Sequence, residues 1–249
     1  MRYFVVSNDQ DRAATWRQRL VDHGFNITEE YDSDATILTL GGDGTILYAA
    51  RTYANPTILP VRAGDSEGNR TRLDTDDLLR RLGDIESGRT DLDRQTFETL
   101  TALEGGEPIR PDFRALNEIS LHHSSPALAA EFAVRVEDRR QRHEFEQVVG
   151  DGALVATPFG ATGYYRSITG GTFSTGFGLA FNNVHRPRDV PAYLALSTDA
   201  VVEFGLLTVS RSSPTVLTRD EDRELYELTV GEPVEIRRSG QTVDIVGPA

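Results

Sequence analysis

Residues 39–47 read TLGGDGTIL and join an apolar run over 35–40 to a helical pattern over 45–53. Glycines allow a tight turn with positive φ and let the backbone come close to a ligand. The amino end of the helix that follows offers unpaired N–H groups and the positive end of a dipole, which suits a phosphate group. This segment therefore predicts an α/β domain with an anion-binding turn at the end of one strand.

Strand and helix patterns alternate on both sides of this turn, as in a parallel sheet. We expect strands over 3–7 and 57–61 and helices over 11–23 and 74–87. Farther along the chain, short alternating runs separated by Gly, Pro and Asp favour an all-β sandwich. The predicted fold class is an α/β N-terminal domain, residues 1–93, plus an all-β sandwich C-terminal domain, residues 94–249.

The charged residue of the turn, Asp43, stands where a carboxylate would repel a phosphate. An acid there is explained if it accepts a proton from an attacking hydroxyl or helps to hold a metal ion. A strand-to-helix turn with an Asx cap would use the same residue, so both interpretations stay open. The turn is neither a Walker A loop, since no Lys-Ser/Thr pair follows, nor the Gly-x-Gly-x-x-Gly dinucleotide motif.

A second motif covers residues 150–171, with a Gly-Asp-Gly turn, an apolar strand and a loop of small residues that ends in Tyr164. Small residues would admit a nucleotide, Thr162 can form a hydrogen bond, and the Tyr164 ring can stack on a base. A turn of the β domain with a packed tyrosine is the alternative.

A third motif is Asn117-Glu118, inside the strand-like run 115–121. Successive residues of a strand point to opposite faces, so both cannot be core residues. At the end of a strand, the amide and the carboxylate could grip the two hydroxyls of a ribose. A solvated strand face is the alternative.

In this order, the three motifs resemble those of the NAD kinase family. The family has Gly-Gly-Asp-Gly-Thr, then Asn-Glu, then a Gly-Asp-Gly…Thr-Pro-x-Gly-x-Thr-x-Tyr…Gly-Gly block, and the likeness spans most of the chain. The resemblance implies a Rossmann-like N-terminal domain and a β-sandwich C-terminal domain. It also implies a kinase that transfers the γ-phosphate of ATP to the 2′-hydroxyl of the adenosine ribose of NAD or NADH.

The resemblance further implies roles for individual residues. Asp43 would be the general base, and the turn formed by Gly41, Gly42, Gly44 and Thr45 would hold the phosphates of ATP. Asn117 and Glu118 would bind a ribose of NAD, and Asp151, Thr162 and Tyr164 would contact its nicotinamide or adenosine end. Because the chain has no lysine, we expect Mg²⁺ or another divalent metal, backbone N–H groups and Arg62 to neutralise the phosphates. No metal ligand is assigned.

Several positions depart from the family pattern. Residues 62–69 lack the Asn and the Phe-Leu pair of the family motif, Phe159 and Ala161 replace two hydroxyl residues, and Asp220-Glu221 stands where the family has Asp-Gly. These departures leave two alternatives open. One is a catalytically inactive paralogue that binds nucleotides as a regulatory protein, and the other is a related kinase with a different hydroxylated substrate.

The charge of the chain excludes some partners. There are 39 acidic and 26 basic residues, every basic one an arginine, and the net charge is −13. Such a chain gains nothing from counterion release on a polyanion, so we expect no nucleic-acid partner. The composition indicates adaptation to high salt, although an arginine-biased genome would also produce it. We expect a cytoplasmic protein without membrane segments and, from the resemblance, a homodimer or homotetramer.

Overall fold

A computed structural model describes residues 1–64, 70–139, 141–208 and 214–249. The first part of the chain forms the elements β1 (Arg2–Val6), α1 (Gln10–Asp22), β2 (Asn26–Ile27), β3 (Thr36–Leu40), α2 (Asp43–Thr52), β4 (Thr57–Arg62), β5 (Leu73–Asp74), α3 (Leu78–Glu86) and β6 (Leu92–Glu104). The second part forms β7 (Glu107–Pro108), β8 (Glu118–His123), β9 (Ala130–Glu137), β10 (Arg142–Ala156), a 3-10 helix (Gly160–Thr162), α4 (Tyr164–Thr169), β11 (Phe177–Arg186), β12 (Tyr193–Leu196), β13 (Val201–Leu206), β14 (Thr215–Arg219), β15 (Tyr226–Glu227) and β16 (Val234–Pro248).

The chain divides into two compact units. Unit 1 comprises Met1–Phe97 and Gln241–Ala249, and unit 2 comprises Glu98–Gly240. The domain boundary inferred from sequence, between residues 93 and 94, stays a prediction. The units differ from it in one important respect, because the last nine residues group with unit 1 and not with the β half of the chain.

Unit 1 is built on a parallel sheet in the order β2-β1-β3-β4. The end of β16 pairs with β4 in parallel, with Asp244 opposite Thr57. Helix α1 begins after Asp9, whose side chain accepts a hydrogen bond from the Arg12 backbone, and it buries Trp16 in the core. These elements confirm the α/β class predicted for this part of the chain.

Unit 2 consists mainly of antiparallel strands. Strand β10 pairs with β8, β9 and β11, and β13 lies between β9 and the first part of β16. Side chains from these strands meet in one core, in which Phe132 and Phe204 are fully buried. The all-β class is therefore confirmed, with a 3-10 helix and α4 as the helical segments between β10 and β11.

One local prediction in unit 2 is wrong. The Gly-Asp-Gly segment at 150–152 was expected to be a turn, whereas it lies inside the fifteen-residue strand β10. A Cβ at Gly152 would lie 2.0 Å from the carbonyl oxygen of Leu121, and the φ of this glycine is +148°. The glycine therefore permits a close backbone contact within the sheet and does not end the strand.

In the part of the chain that the structure describes, no helix has the length and apolar character needed to cross a membrane.

Candidate active site

The glycine-rich turn lies at the carboxyl end of β3, between the ends of β1 and β4. Gly41 N–H donates to the Val61 carbonyl at 3.0 Å, and Ser7 Oγ donates to the Leu40 carbonyl at 2.9 Å. The chain leaves β1 towards β2 on one side of the sheet and leaves β3 towards β4 on the other. The turn thus stands at the point where the strand order reverses, the usual place for ligands in open α/β sheets.

The turn is held in shape by a contact that requires glycine at position 41. Thr45 is buried, and its Oγ1 donates to Asn8 Oδ1 at 2.7 Å. A Cβ at Gly41 would lie 2.2 Å from that hydroxyl. The Thr45 hydroxyl is thus engaged inside unit 1, so its expected phosphate contact stays a prediction. Asn8, which follows β1, is a residue of the turn that sequence reasoning missed.

Helix α2 begins earlier than the periodicity predicts. Its N-cap is Gly42, which contributes no side-chain hydrogen bond, and Asp43 and Gly44 lie in its first turn. The first N–H groups of a helix lack acceptors within the helix, so this end is a favourable place for a negative charge.

Asp43 is half-buried and contacts the segment that follows β4. Its Oδ1 accepts a hydrogen bond of 3.1 Å from the Arg70 backbone N–H. Burial lowers the pKa of the Arg70 guanidinium, and the negative charge of Asp43 acts in the opposite direction. The charges of Arg70 and Asp43 therefore act on each other, and no sequence pattern distinguishes Arg70 from Arg62 or Arg72.

Arg62 ends strand β4 and lies in a different environment. Its Nε is 3.5 Å from Asp74 Oδ1, and the same guanidinium donates to Thr71 Oγ1 at 3.2 Å. These contacts tie Arg62 to the segment around β5. Within the altered stretch 62–69, residues 65–69 lie outside the described residues.

In unit 2, Asn117 and Glu118 lie where β8 begins, and the surrounding backbone fixes this point. The Asn117 carbonyl accepts a hydrogen bond of 2.8 Å from Thr157 N–H. A Cβ at Gly160 would lie 2.3 Å from the same carbonyl oxygen, so only glycine fits there. Asp220, from the turn after β14, accepts hydrogen bonds from the backbone N–H groups of both Asn117 and Glu118.

Glu118 is a buried carboxyl, with 8% of its surface exposed. Burial, followed by the negative charges of Asp220 and Glu221, raises its pKa to about 8. Within the described residues, its Oε2 is buried and has no hydrogen-bond partner. Such an oxygen is unsatisfied in the absence of a ligand, which makes Glu118 a candidate for binding hydroxyl groups.

Tyr164 and Asp151 are partly exposed groups of unit 2 that interact electrostatically. The Tyr164 hydroxyl accepts from Asn182 Nδ2 at 2.9 Å, and Asp151 Oδ2 accepts from Asn183 Nδ2 at 2.9 Å. Burial raises the pKa of Tyr164, and the charges of Asp151 and Glu118 raise it further. Tyr164 is therefore close enough to both Asp151 and Glu118 to feel their charges.

The loop 157–163 carries the remaining predicted residue. Thr162 is exposed at the end of the 3-10 helix, whereas Phe159 and Ala161 are buried. Thr157 is buried as well, and its Oγ1 accepts hydrogen bonds from the backbone N–H groups of Phe159 and Gly160. The two positions that lack the hydroxyls of the family pattern are thus buried in this chain.

Curated relatives match most of the chain. An NAD kinase of Yersinia pestis is 31% identical and covers 93% of this chain and 80% of the relative. An NAD kinase of Xanthomonas campestris pv. campestris is also 31% identical, over 95% of this chain and 90% of the relative. The chain belongs to the NAD kinase family. Its activity is accordingly that of an NAD(H) kinase, a phosphotransferase.

Solved structures of the family share the fold. An NAD kinase from Archaeoglobus fulgidus in complex with ATP superposes with a TM-score of 0.72 at 20% identity, covering 98% of this chain and 93% of the other. Yeast NADH kinase complexed with NADH gives a TM-score of 0.79 at 15% identity, covering 100% and 84%. No family model matches the sequence. The two-domain NAD kinase fold is confirmed by these neighbours.

For an NAD kinase, the residues predicted from sequence fall into two groups, one in each unit. The first group comprises Gly41, Gly42, Asp43, Gly44, Thr45 and Arg62, and the second comprises Asn117, Glu118, Asp151, Thr162 and Tyr164. Three residues that contact these groups were missed: Asn8, Arg70 and Asp220.

Proposed function

We propose that the chain transfers the γ-phosphate of ATP to the 2′-hydroxyl of the adenosine ribose of NAD or NADH, which yields NADP or NADPH. The curated relatives support the reaction, and the Archaeoglobus fulgidus and yeast enzymes were solved with ATP and NADH respectively. The observation that carries the proposal for this chain is the place of Asp43, half-buried in the first turn of α2 at the switch point of the parallel sheet.

We assign the phosphates of ATP to the turn Gly41–Thr45. Gly41, Gly42 and Gly44 leave the backbone open to an approaching anion, and the end of α2 supplies N–H groups and a positive dipole. Thr45 and Asn8 keep the turn in shape through their 2.7 Å hydrogen bond. Arg62, which ends β4, and Arg70, which interacts electrostatically with Asp43, are our candidates for neutralising phosphate charge.

We assign Asp43 the role of general base. Its carboxylate would accept the proton of the 2′-hydroxyl as the oxygen attacks the γ-phosphorus, and the bond from that phosphorus to the leaving oxygen of ADP breaks. Such assistance contributes about 10²–10⁴-fold to the rate. Because phosphoryl transfer depends mainly on positioning and charge neutralisation, the rest of the site serves to hold the two nucleotides in line.

We assign the acceptor nucleotide to the residues of unit 2. The unpartnered oxygen of Glu118 and the amide of Asn117 suit the hydroxyls of a ribose. Asp151, Thr162 and the half-exposed Tyr164 are assigned to the nicotinamide or adenosine end, where the tyrosine ring can stack on a base.

We assign a divalent metal such as Mg²⁺ to the phosphates of the bound nucleotide. Among the described residues, no group of three or more His, Asp or Glu side chains could hold a metal ion. Mg²⁺ in kinases is commonly held by substrate phosphates with one or two carboxylates, so a dedicated protein cage is not required. Bound in that way, the ion would neutralise charge on the transferred phosphate.

The test is the isosteric variant Asp43→Asn, with Asp11→Asn as a matched control. Asp11 is an exposed acid in the first turn of α1, so the control removes the same charge at the amino end of the neighbouring helix. We expect Asp43→Asn to lower kcat by about 10²-fold or more while NAD binding changes by less than about threefold. Full activity in Asp43→Asn would contradict the role of this residue. NAD binding by the wild type without formation of ADP and NADP would support an inactive paralogue.

We further propose a cytoplasmic homodimer or homotetramer that works in high salt. Composition supports the high-salt and cytoplasmic parts, since the net charge is −13 and the chain has no lysine and no cysteine. The resemblance to the NAD kinase family supports the oligomer. At about 1 M salt the Debye length falls to about 3 Å, which screens the repulsion of so many carboxylates. Light scattering, cell fractionation and activity measured from about 0.1 to about 1 M KCl test these three points. A monomer at high salt, or highest activity at the lowest salt, would contradict them.

A further inference from the structure

Asp220, a residue outside the predicted site, binds the backbone where strand β8 begins. Asp220 Oδ2 accepts the N–H of Leu116 at 3.1 Å, and its Oδ1 accepts those of Asn117 at 2.7 Å and Glu118 at 3.3 Å. In return, the Asp220 N–H donates to the Glu118 carbonyl at 3.0 Å. One aspartate thus fixes three consecutive peptide groups that contain both residues of the Asn-Glu motif.

The backbone around Asp220 is shaped for this contact. Its φ is +47°, in the left-handed region that aspartate tolerates better than most residues. The preceding residue, Arg219, anchors the turn, since its Nε is 2.9 Å from Asp222 Oδ2 and its guanidinium lies 4.7 Å from the Phe113 ring centre. Because the turn is held from both sides, the Asp220 carboxylate stands at a defined place.

The same carboxylate acts on the charge of Glu118. A negative charge next to a buried carboxyl favours the protonated form of that carboxyl, and Asp220 acts on Glu118 in this way. Glu221 lies on the same turn and acts in the same direction, and Tyr164 of α4 also interacts with Glu118. Near neutral pH the free protein therefore holds a proton on Glu118.

We infer that Asp220 is a positioning residue for the acceptor nucleotide, which sets Asn117 and Glu118 against a ribose diol and couples NAD binding to the release of one proton from Glu118. In this step the Glu118 carboxyl loses its proton to solvent, and the carboxylate then accepts hydrogen bonds from the two hydroxyls of the diol. The inference rests on the proposed function, since it assumes that NAD is the ligand of these residues.

The kinetic test compares Asp220→Asn with Glu224→Gln. The control removes the charge of an exposed carboxylate of the same segment, one that pairs with Arg110. We expect Asp220→Asn to raise KM for NAD about tenfold or more, with KM for ATP within about threefold, because charge-assisted hydrogen bonds to the start of β8 are lost. Glu224→Gln should keep the wild-type KM for NAD. An unchanged KM for NAD in a folded Asp220→Asn would overturn the inference.

The second test measures the number of protons released when NAD binds, a quantity that a purely structural role of Asp220 would not change. NAD is titrated calorimetrically into the wild type in two buffers of different ionisation enthalpy, at several values of pH between 6 and 9. We expect release of most of one proton at pH 7 and close to none at pH 9, where Glu118 is already ionised. In Asp220→Asn the release should shift to lower pH, and in Glu118→Gln it should vanish. Absence of proton release in the wild type at pH 7 would refute the coupling.

Two further outcomes are decisive. If Asp220→Asn does not fold, Asp220→Glu takes its place. This variant keeps the charge but displaces the carboxylate. KM for NAD should therefore rise, while proton release at pH 7 should persist. Unchanged KM in that variant would refute the positioning role. A wild type that forms no NADP would refute the proposed function itself, whereas an active wild type with an unaffected Asp220→Asn would refute only the present inference.

Discussion

Replacing Glu118 with glutamine should stabilise the protein by an amount that grows with pH. The pKa of this carboxyl is about 8 in the folded protein, against 4.5 for an unburied glutamate. Between these two values the folded state keeps a proton that the unfolded state has lost. The free energy of unfolding of the wild type therefore falls with rising pH, by about 1.4 kcal/mol per pH unit. Glutamine mimics the protonated carboxyl and does not carry this penalty.

The largest difference in the free energy of unfolding between Glu118→Gln and the wild type follows from the same two pKa values. Three and a half pH units correspond to about 5 kcal/mol, and this difference is reached above pH 8, where the wild type must bury a charged carboxylate. Since domains are stable by about 5–15 kcal/mol in total, a penalty of this size should be visible as a lowered unfolding midpoint at alkaline pH.

Urea unfolding of wild type and Glu118→Gln, in half-unit steps from pH 5 to pH 9 at one fixed salt concentration, measures this difference. Glu107→Gln is the matched control, because Glu107 is exposed on the short strand β7 and no burial penalty is removed. We expect the stability gain of Glu118→Gln to grow steadily up to pH 8 and the control to show no such growth. A gain that stays constant across the whole range would refute the reasoning.

Substitutions at three other positions test the two groups of the site. Asn8→Ala removes the acceptor of the Thr45 hydroxyl and should lower the free energy of unfolding by about 1 kcal/mol and raise KM for ATP, as measured by urea unfolding and steady-state kinetics. Gly160→Ala would place a methyl group 2.3 Å from the Asn117 carbonyl oxygen, so NAD affinity measured calorimetrically should fall while ATP affinity persists. Tyr164→Phe keeps the ring and should change KM for NAD by less than about threefold, whereas Tyr164→Ala should raise it about tenfold or more. Equal effects of the two tyrosine variants would contradict base stacking.

Periodicity predicted the secondary structure of unit 1 well because its strands are buried on both faces and its helices are amphipathic. The boundaries of α1 and β3 lie within one residue of expectation. Helix α2 begins at Asp43 and not at Thr45, since glycines weaken the helical pattern although Gly42 serves as its cap. Helix α1 buries a narrow stripe through Trp16 and Leu20, and its neighbouring Val21 is 52% exposed.

The sequence pattern did not predict which strands pair with each other. Short runs separated by turn residues were expected throughout the β half, whereas its last fifteen-residue strand, β16, is continuous and its end pairs with β4. Alternation shows that a residue is extended and which face it uses, but carries no information on which strand lies beside it.

The residues of the candidate site that belong to a local sequence motif could be predicted. Asp43 and Glu118 stand out because an acid next to glycines or at a strand end is unusual in itself. Asn8, Arg70 and Asp220 act through contacts with residues 27 to 103 positions away, which only the folded topology brings together. Residues that hold others in place were therefore not predicted, because their role depends on contacts that are distant in sequence.

The path of β16 has a consequence for how the protein is made. The segment Gln241–Ala249 belongs to unit 1, yet residues 98–240 leave the ribosome before it does. Until then, the β4 edge that pairs with Asp244 and Ile245 is left without this neighbour. An uncovered strand edge invites wrong pairing between nascent chains, so translation through the β half exposes unit 1 to aggregation until its final strand arrives.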